Sequence, residues 1–164
     1  MASTHAHQPE PVQPAWRHDR RLSERGIPSR DPITQLLQDC RTLAVVGLSS
    51  KISRPSYGVA AYMQSRGYRI IPVNPHEDAV LGERAYPDLA SVPEPVDVVV
   101  IFRQARHIPE IVENAIQRHA RVVWMQEGLS HAQAAARARS AGLEVVQDRC
   151  ILKEHARRFL SEGI

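Results

Sequence analysis

Residues 42 to 58 hold the side chains best suited to chemistry. Gly47, Ser49, Ser50, Lys51, Ser53, Arg54, Pro55 and Ser56 follow a short apolar run and lead into a helical pattern. Glycine permits a tight turn. Hydroxyls, two cations and a helix N-terminus together favour an anion, and a diphosphate above all. The surrounding charge agrees. From Arg41 to His76 there is no Asp or Glu, while Arg41, Lys51, Arg54, Arg66 and Arg69 give +5 within a chain of net charge +3. The rest of the chain is therefore net negative, and the positive field is local. For Ser56 taken alone, a helix cap is the plainer reading.

A nicotinamide dinucleotide site wants G-x-G-x-x-G and an acidic residue at the end of the second strand. Here Ser49 and Ile52 stand at the second and third glycine positions, and the second strand ends in Val73-Asn74-Pro75. The spacing of Gly47 and Lys51 does not fit G-x-x-x-x-G-K either. Three further segments follow predicted strands. Val73, Asn74 and Pro75 offer an apolar ledge and one amide, for an adenine or simply for a turn. Phe102 and Arg103 offer an apolar side chain and a cation near the phosphates, or a surface cation. Gln126 to Gly128 brings backbone close to a ligand at Gly128. Arg118 lies late in a helix, away from these loops.

Alternating elements must position them. Asp31-Pro32 reads as a helix cap and first turn, running to about Asp39. Strands are expected at Thr42–Val46, Tyr68–Val73, Val96–Phe102, Arg121–Met125 and Leu143–Val146. Between them fall helices carrying Val59, Ala60 and Met63, then Ile108, Ile111, Val112, Ala115 and Ile116, then an alanine-rich segment behind a Ser130–Gln133 capping box. Gly67 and Gly142 stop the first and last of these. Residues 76 to 96 read as irregular, with one turn near Asp88 to Ser91. A last helix covers about Leu152 to Leu160. This alternation predicts an α/β fold: a Rossmann-like, doubly wound, five-stranded parallel sheet in the order 3-2-1-4-5. Ligands of such sheets bind beyond the carboxyl ends of the strands.

The chain has 164 residues, 43% hydrophobic and 24% charged. That supports one folded domain, expected over residues 29–164, behind a Pro- and His-rich tail over 1–28 expected to be disordered or loosely packed. Cys40 and Cys150 have no metal-ligand spacing. Cys150 follows the fifth strand and is expected to be a packed thiol. The polar N-terminus does not read as a signal peptide, and no apolar run approaches a membrane span. A cytoplasmic protein is expected, with no nucleic-acid or membrane partner. A protein partner or self-association stays open.

Six segments together resemble the CoA-binding domain family: Val-Gly-Leu-Ser-Ser, Ser-Arg-Pro-Ser-Tyr, Val-Asn-Pro, Val-Asp-Val-Val-Val-Ile-Phe-Arg, Trp-Met-Gln-Glu-Gly and Asp-Arg-Cys-Ile. This Rossmann-like domain also forms the N-terminal part of the succinyl-CoA synthetase alpha subunit, and the stand-alone bacterial members are especially similar. The resemblance runs from about Thr42 to His155. It implies coenzyme A lying across the strand ends. Gly47 through Ser56 would hold phosphates, Val73 to Pro75 the adenosine, and Phe102-Arg103 and Gln126–Gly128 the pantetheine arm. The synthetase uses a histidine from a second domain, which this chain lacks. The reading is a protein that binds CoA or acyl-CoA without catalytic machinery of its own. The rivals are an NAD(P)-binding oxidoreductase or redox sensor, and an interaction module with a vestigial pocket.

Overall fold

The computed structural model describes residues 31–160. The expected N-terminal tail over 1–28 lies outside them.

Five apolar runs form one parallel sheet: β1 Thr42–Val46, β2 Arg69–Val73, β5 Val98–Ile101, β6 Val122–Met125 and β7 Glu144–Val146. The helices are α1 Pro32–Asp39, α2 Pro55–Ser65, α3 Ile108–Gln117, α4 Ala132–Ser140 and α5 Ile151–Phe159. Successive strand residues point to opposite faces, so each strand feeds two cores. Val46, Val99, Ile101, Val123 and Met125 pack with Ile108 and Val112 of α3 and Ala135 of α4. Leu43, Val98, Val100 and Trp124 pack with Leu37 of α1, Met63 of α2 and Ile151 of α5. Helices thus cover both faces, and the sheet is a Rossmann-like doubly wound α/β fold.

The strands run in the order β2-β1-β5-β6-β7. The run at Val98–Ile101, read as the third strand, therefore sits beside β1 and not at the outer edge beyond β2. All four of its residues are buried, which suits a central strand covered on both faces. The position outside β2 is held by Tyr86, through a single parallel bridge to Val73. Counting that bridge as strand three restores the Rossmann sequence, with β5 and β6 fourth and fifth.

Three local expectations change. Residues 76 to 96 contain an unforeseen hairpin, β3 Ala79–Val80 and β4 Glu83–Arg84. Its two-residue turn, Leu81-Gly82, has both φ angles positive, at 55° and 75°, as type I′ hairpins require. The turn near Asp88 is present as a 3-10 turn, Leu89–Ser91, with the Asp88 carboxylate accepting from the Ser91 N–H at 2.8 Å. At α4 the capping group is His131, whose Nδ1 accepts from the Ala134 N–H, and not Ser130. Asp31 does precede α1, but its carboxylate accepts from Arg158 Nε at 2.7 Å and caps no backbone N–H.

Candidate functional site

The loop after β1 is fixed by its own polar groups. Gly47 has φ +91°, and a Cβ there would stand 3.0 Å from the Phe102 carbonyl oxygen and 3.2 Å from Arg103 Cδ. The loops after β1 and β5 can approach this closely only with glycine at the crossing. The Gly47 N–H donates to the Val73 carbonyl at 2.8 Å, and the Phe102 N–H to that of Val46 at 2.9 Å. Three strand ends are thereby laced together.

Ser56 is buried inside the first turn of α2, whose N-cap is Arg54. Its Oγ accepts from the Ser49 N–H at 3.1 Å, and the Ser49 Oγ accepts from the Lys51 N–H at 3.1 Å. Both hydroxyls keep a proton to donate. The Ser50 N–H and hydroxyl both donate to Glu77, at 3.0 and 2.9 Å. These two bonds hold the Glu77 carboxyl below its usual range. Lys51, Ser53, Arg54 and Pro55 are exposed, and no acid sits in the first turn of α2. The loop is therefore a positive rim on a serine-braced frame.

The adjoining ledge is partly structural. Asn74 Nδ2 donates to the Leu48 carbonyl at 3.0 Å, while its Oδ1 accepts from the His76 N–H at 2.9 Å. Asn74 thus ties β2 to the loop after β1. Beside it opens a cleft of about 180 Å³. The sheet edge contributes Gly47, Val73 and Pro75 to its lining, and the segment entering α3 contributes Arg103, His107 and Glu110. Phe102 packs against the core on the α2 side of the sheet.

Gln126 and Gly128 stand in another environment. Gln126 is buried, and its Oε1 accepts from the Ile151 N–H at 3.0 Å, capping α5. Its Nε2 lies 3.7 Å from the Cys150 Sγ. The Gly128 N–H donates to the Asp148 carboxylate at 2.7 Å. These bonds join the loops after β6 and β7. Of the predicted residues, the structure lines one cleft with Gly47, Val73, Pro75 and Arg103, and sets Ser49 to Ser56 on the rim after β1. Gln126 and Gly128 do not line that cleft.

Sequence reasoning missed Glu77 and His107. Glu77 is the first acid after the acid-free stretch, three residues beyond Asn74, and that boundary was its signal. His107 had a weaker one, its place at the mouth of a helix that follows a central strand. Arg118 donates to the carbonyls of Val92 and Glu94, so it braces the fold. Cys150 is half-buried at the head of α5, and Cys40 is buried with its thiol pushed up to about 12 by desolvation. Among the described residues no helix is long and apolar enough to cross a membrane, and no His, Cys, Asp and Glu cluster could hold a metal ion.

Comparison with known proteins gives the site a family. The Bacillus subtilis (strain 168) protein YneT is 39% identical over 129 residues, 79% of this chain and 96% of YneT. A solved structure of a hypothetical protein from Pyrococcus horikoshii OT3 aligns with a TM-score of 0.74 at 37% identity, covering 76% of this chain and 88% of that one. The ADP-forming acetate–CoA ligase II of Archaeoglobus fulgidus is 29% identical over 80 residues, 48% of this chain and 12% of the ligase. Residues 41–156 match the CoA binding domain. That span includes the whole five-stranded sheet and the loops at its carboxyl edge, and the chain belongs to the CoA binding domain family.

Proposed function

We propose that this chain binds CoA or an acyl-CoA across the carboxyl ends of β1, β2 and β5. The observation that carries the reading is the exposed rim of Lys51, Ser53 and Arg54 at the head of α2, a helix with no acid in its first turn, set beside a partly apolar cleft. The rim suits a diphosphate. The adenosine lies against Val73 and Pro75. The cleft is smaller than the roughly 300–1,000 Å³ that encloses a drug-sized ligand. A molecule as long as CoA therefore extends out of it, with the pantetheine arm passing Phe102 along the strand ends. The likeness to a segment of an acetate–CoA ligase supports a CoA-carrying part. The protein then holds, senses or lends CoA. Free Cys40 and Cys150 fit a reducing cytoplasmic setting.

Calorimetric titration with CoA, NAD and NADP separates the readings. CoA binding without NAD or NADP binding is expected. Tight binding of a nicotinamide dinucleotide with no CoA response overturns the proposal, and silence toward all three favours an interaction module. Arg54→Glu is expected to weaken CoA at least tenfold, by removing one charge-assisted contact and adding a repulsive one. Arg139→Glu, an exposed change on α4, serves as the control in place of the bracing Arg118. Equal losses from the two would reduce the rim to bulk charge.

A further inference from the structure

Outside the loop after β1, Arg103 and His107 line the cleft, and exposed Arg106 stands beside His107. Arg103 Nη2 and Arg106 Nε both donate to Nε2 of His107, at 3.2 and 3.3 Å. Guanidinium groups have no acceptor, so both bonds call on the lone pair of that one nitrogen. Two like charges thus converge on a single ring atom. Neither arginine meets a carboxylate: the ion pairs among the described residues belong to Arg69, Arg137, Arg149, Lys153, Arg157 and Arg158. The Arg103 stem also passes close to Gly47, where a Cβ would stand 3.2 Å from its Cδ. Asp88 and Glu110 line the same cleft, yet Asp88 is turned to the Ser91 N–H and Glu110 forms no ion pair.

Two neighbouring guanidinium groups that repel one another gain most from an anion bridging both. Arginine's planar fork suits an oxyanion with several equivalent oxygens. The next step rests on the CoA reading. CoA carries two different phosphoryl groups, a diphosphate leading to the pantetheine arm and a phosphomonoester on the ribose. The rim after β1, with a helix N-terminus behind it, suits the first. The ribose follows the adenine into the cleft that Arg103 and His107 line. We propose that Arg103 and Arg106 seat the ribose phosphomonoester, and that His107 is a positioning residue that sets their spacing.

The test is calorimetric titration of the full chain with CoA and with dephospho-CoA, which lacks only the monoester. The wild-type protein should prefer CoA roughly tenfold or more, the scale of a charge-assisted contact. R103Q/R106Q should lower CoA affinity by about that factor and leave dephospho-CoA unchanged. Arg54→Glu should weaken both ligands alike. His107→Gln keeps an acceptor and should keep the preference, while His107→Leu should erase it. If the double variant fails to fold, exposed Arg106→Gln alone must still reduce the preference severalfold. A wild-type protein that binds both ligands equally, or arginine variants that weaken both equally, overturns this assignment and leaves the CoA reading standing. A wild-type protein that binds neither overturns both.

Discussion

At the ends of β1 and β5, Lys51, Arg54, Arg103 and Arg106 make no ion pair among the described residues, whereas at the ends of β6 and β7 polar groups answer one another. There Gln126 caps Ile151, Asp148 accepts from Gly128, Gln147 accepts from the His131 N–H, and Lys153 pairs with Glu127 at 2.8 Å. The Trp124 indole N–H donates to the Arg149 carbonyl at 2.7 Å. Both halves belong to one sheet edge and both are built of loops. The difference lies in where the hydrogen-bonding capacity goes. The β6–β7 half spends it on holding α5 and α4 to the sheet. The β1–β5 half spends its hydroxyls and the Asn74 amide on loop shape and leaves its cations unanswered. Glu77 reaches the loop after β1 and is bound to Ser50, while Asp88 and Glu110 line the cleft beside it.

The largest expected effect comes from Gly47→Val, because that residue is where the open half is assembled. The substitution forces a β-branched residue to φ +91° and drives a Cβ to 3.0 Å from a backbone carbonyl. Left-handed strain and the clash together should cost about 3 kcal/mol or more, read as a lowered urea midpoint. Nucleotide binding should be lost with it. Unchanged stability would mean that the loops after β1 and β5 are not locked, and the contrast between a rigid frame and an open rim would lose its basis.

Gln126→Leu tests the other half. It fills the same space but leaves the Ile151 N–H buried without a partner. The expected loss is about 1–3 kcal/mol, with CoA affinity within about twofold of wild type, because Gln126 does not line the cleft. The reverse result, intact stability with CoA binding lost, would return Gln126 to the pantetheine path that the sequence expected and break the comparison.

The sheet was legible because its strands are apolar runs with few alternatives: Val98–Ile101 is buried on both faces and reads so in the sequence. The position of that strand was less legible. Strand order depends on which side of β1 a long connection crosses, and the hairpin and the Tyr86 bridge within that connection are too short to leave a periodic signal. Within the candidate site, residue types pointed to loops at the carboxyl edge of the sheet but not to each side chain's structural work. Ser56 was expected at a cap and instead receives the Ser49 N–H from the first turn, because the preceding Pro55 already begins the helix. Gln126 looked like a ligand-facing amide, but its partner at Ile151 lies 25 residues further on. Hydrogen bonds over such separations have no local spacing by which to be found.

The smallest effect concerns α5, the helix that the closed half anchors. His155 is buried, with its Nδ1 2.8 Å from the Tyr62 hydroxyl and with Tyr62, Tyr68 and Phe159 around its ring. Desolvation, and then the charge of Arg66 at the C-cap of α2, hold its pKa below the ordinary value of 6.5. The unfolded chain therefore takes up a proton here before the folded protein does. Its contribution to stability is complete above pH 6.5 and is lost as pH falls through the lowered folded value. The lowered carboxylates, Glu154 among them, add to acid sensitivity only near and below their usual 4.5. Urea titrations between pH 7.5 and 5.5 should thus show stability falling with pH in the wild-type protein and a shallower fall in His155→Phe, which keeps the aromatic contacts and removes the proton site. CoA affinity at pH 7.5 should not change, since α5 lines no part of the cleft. An undiminished slope in His155→Phe would move the titrating group elsewhere. A change in affinity would show that the two halves are coupled through the packing of α2 on α5.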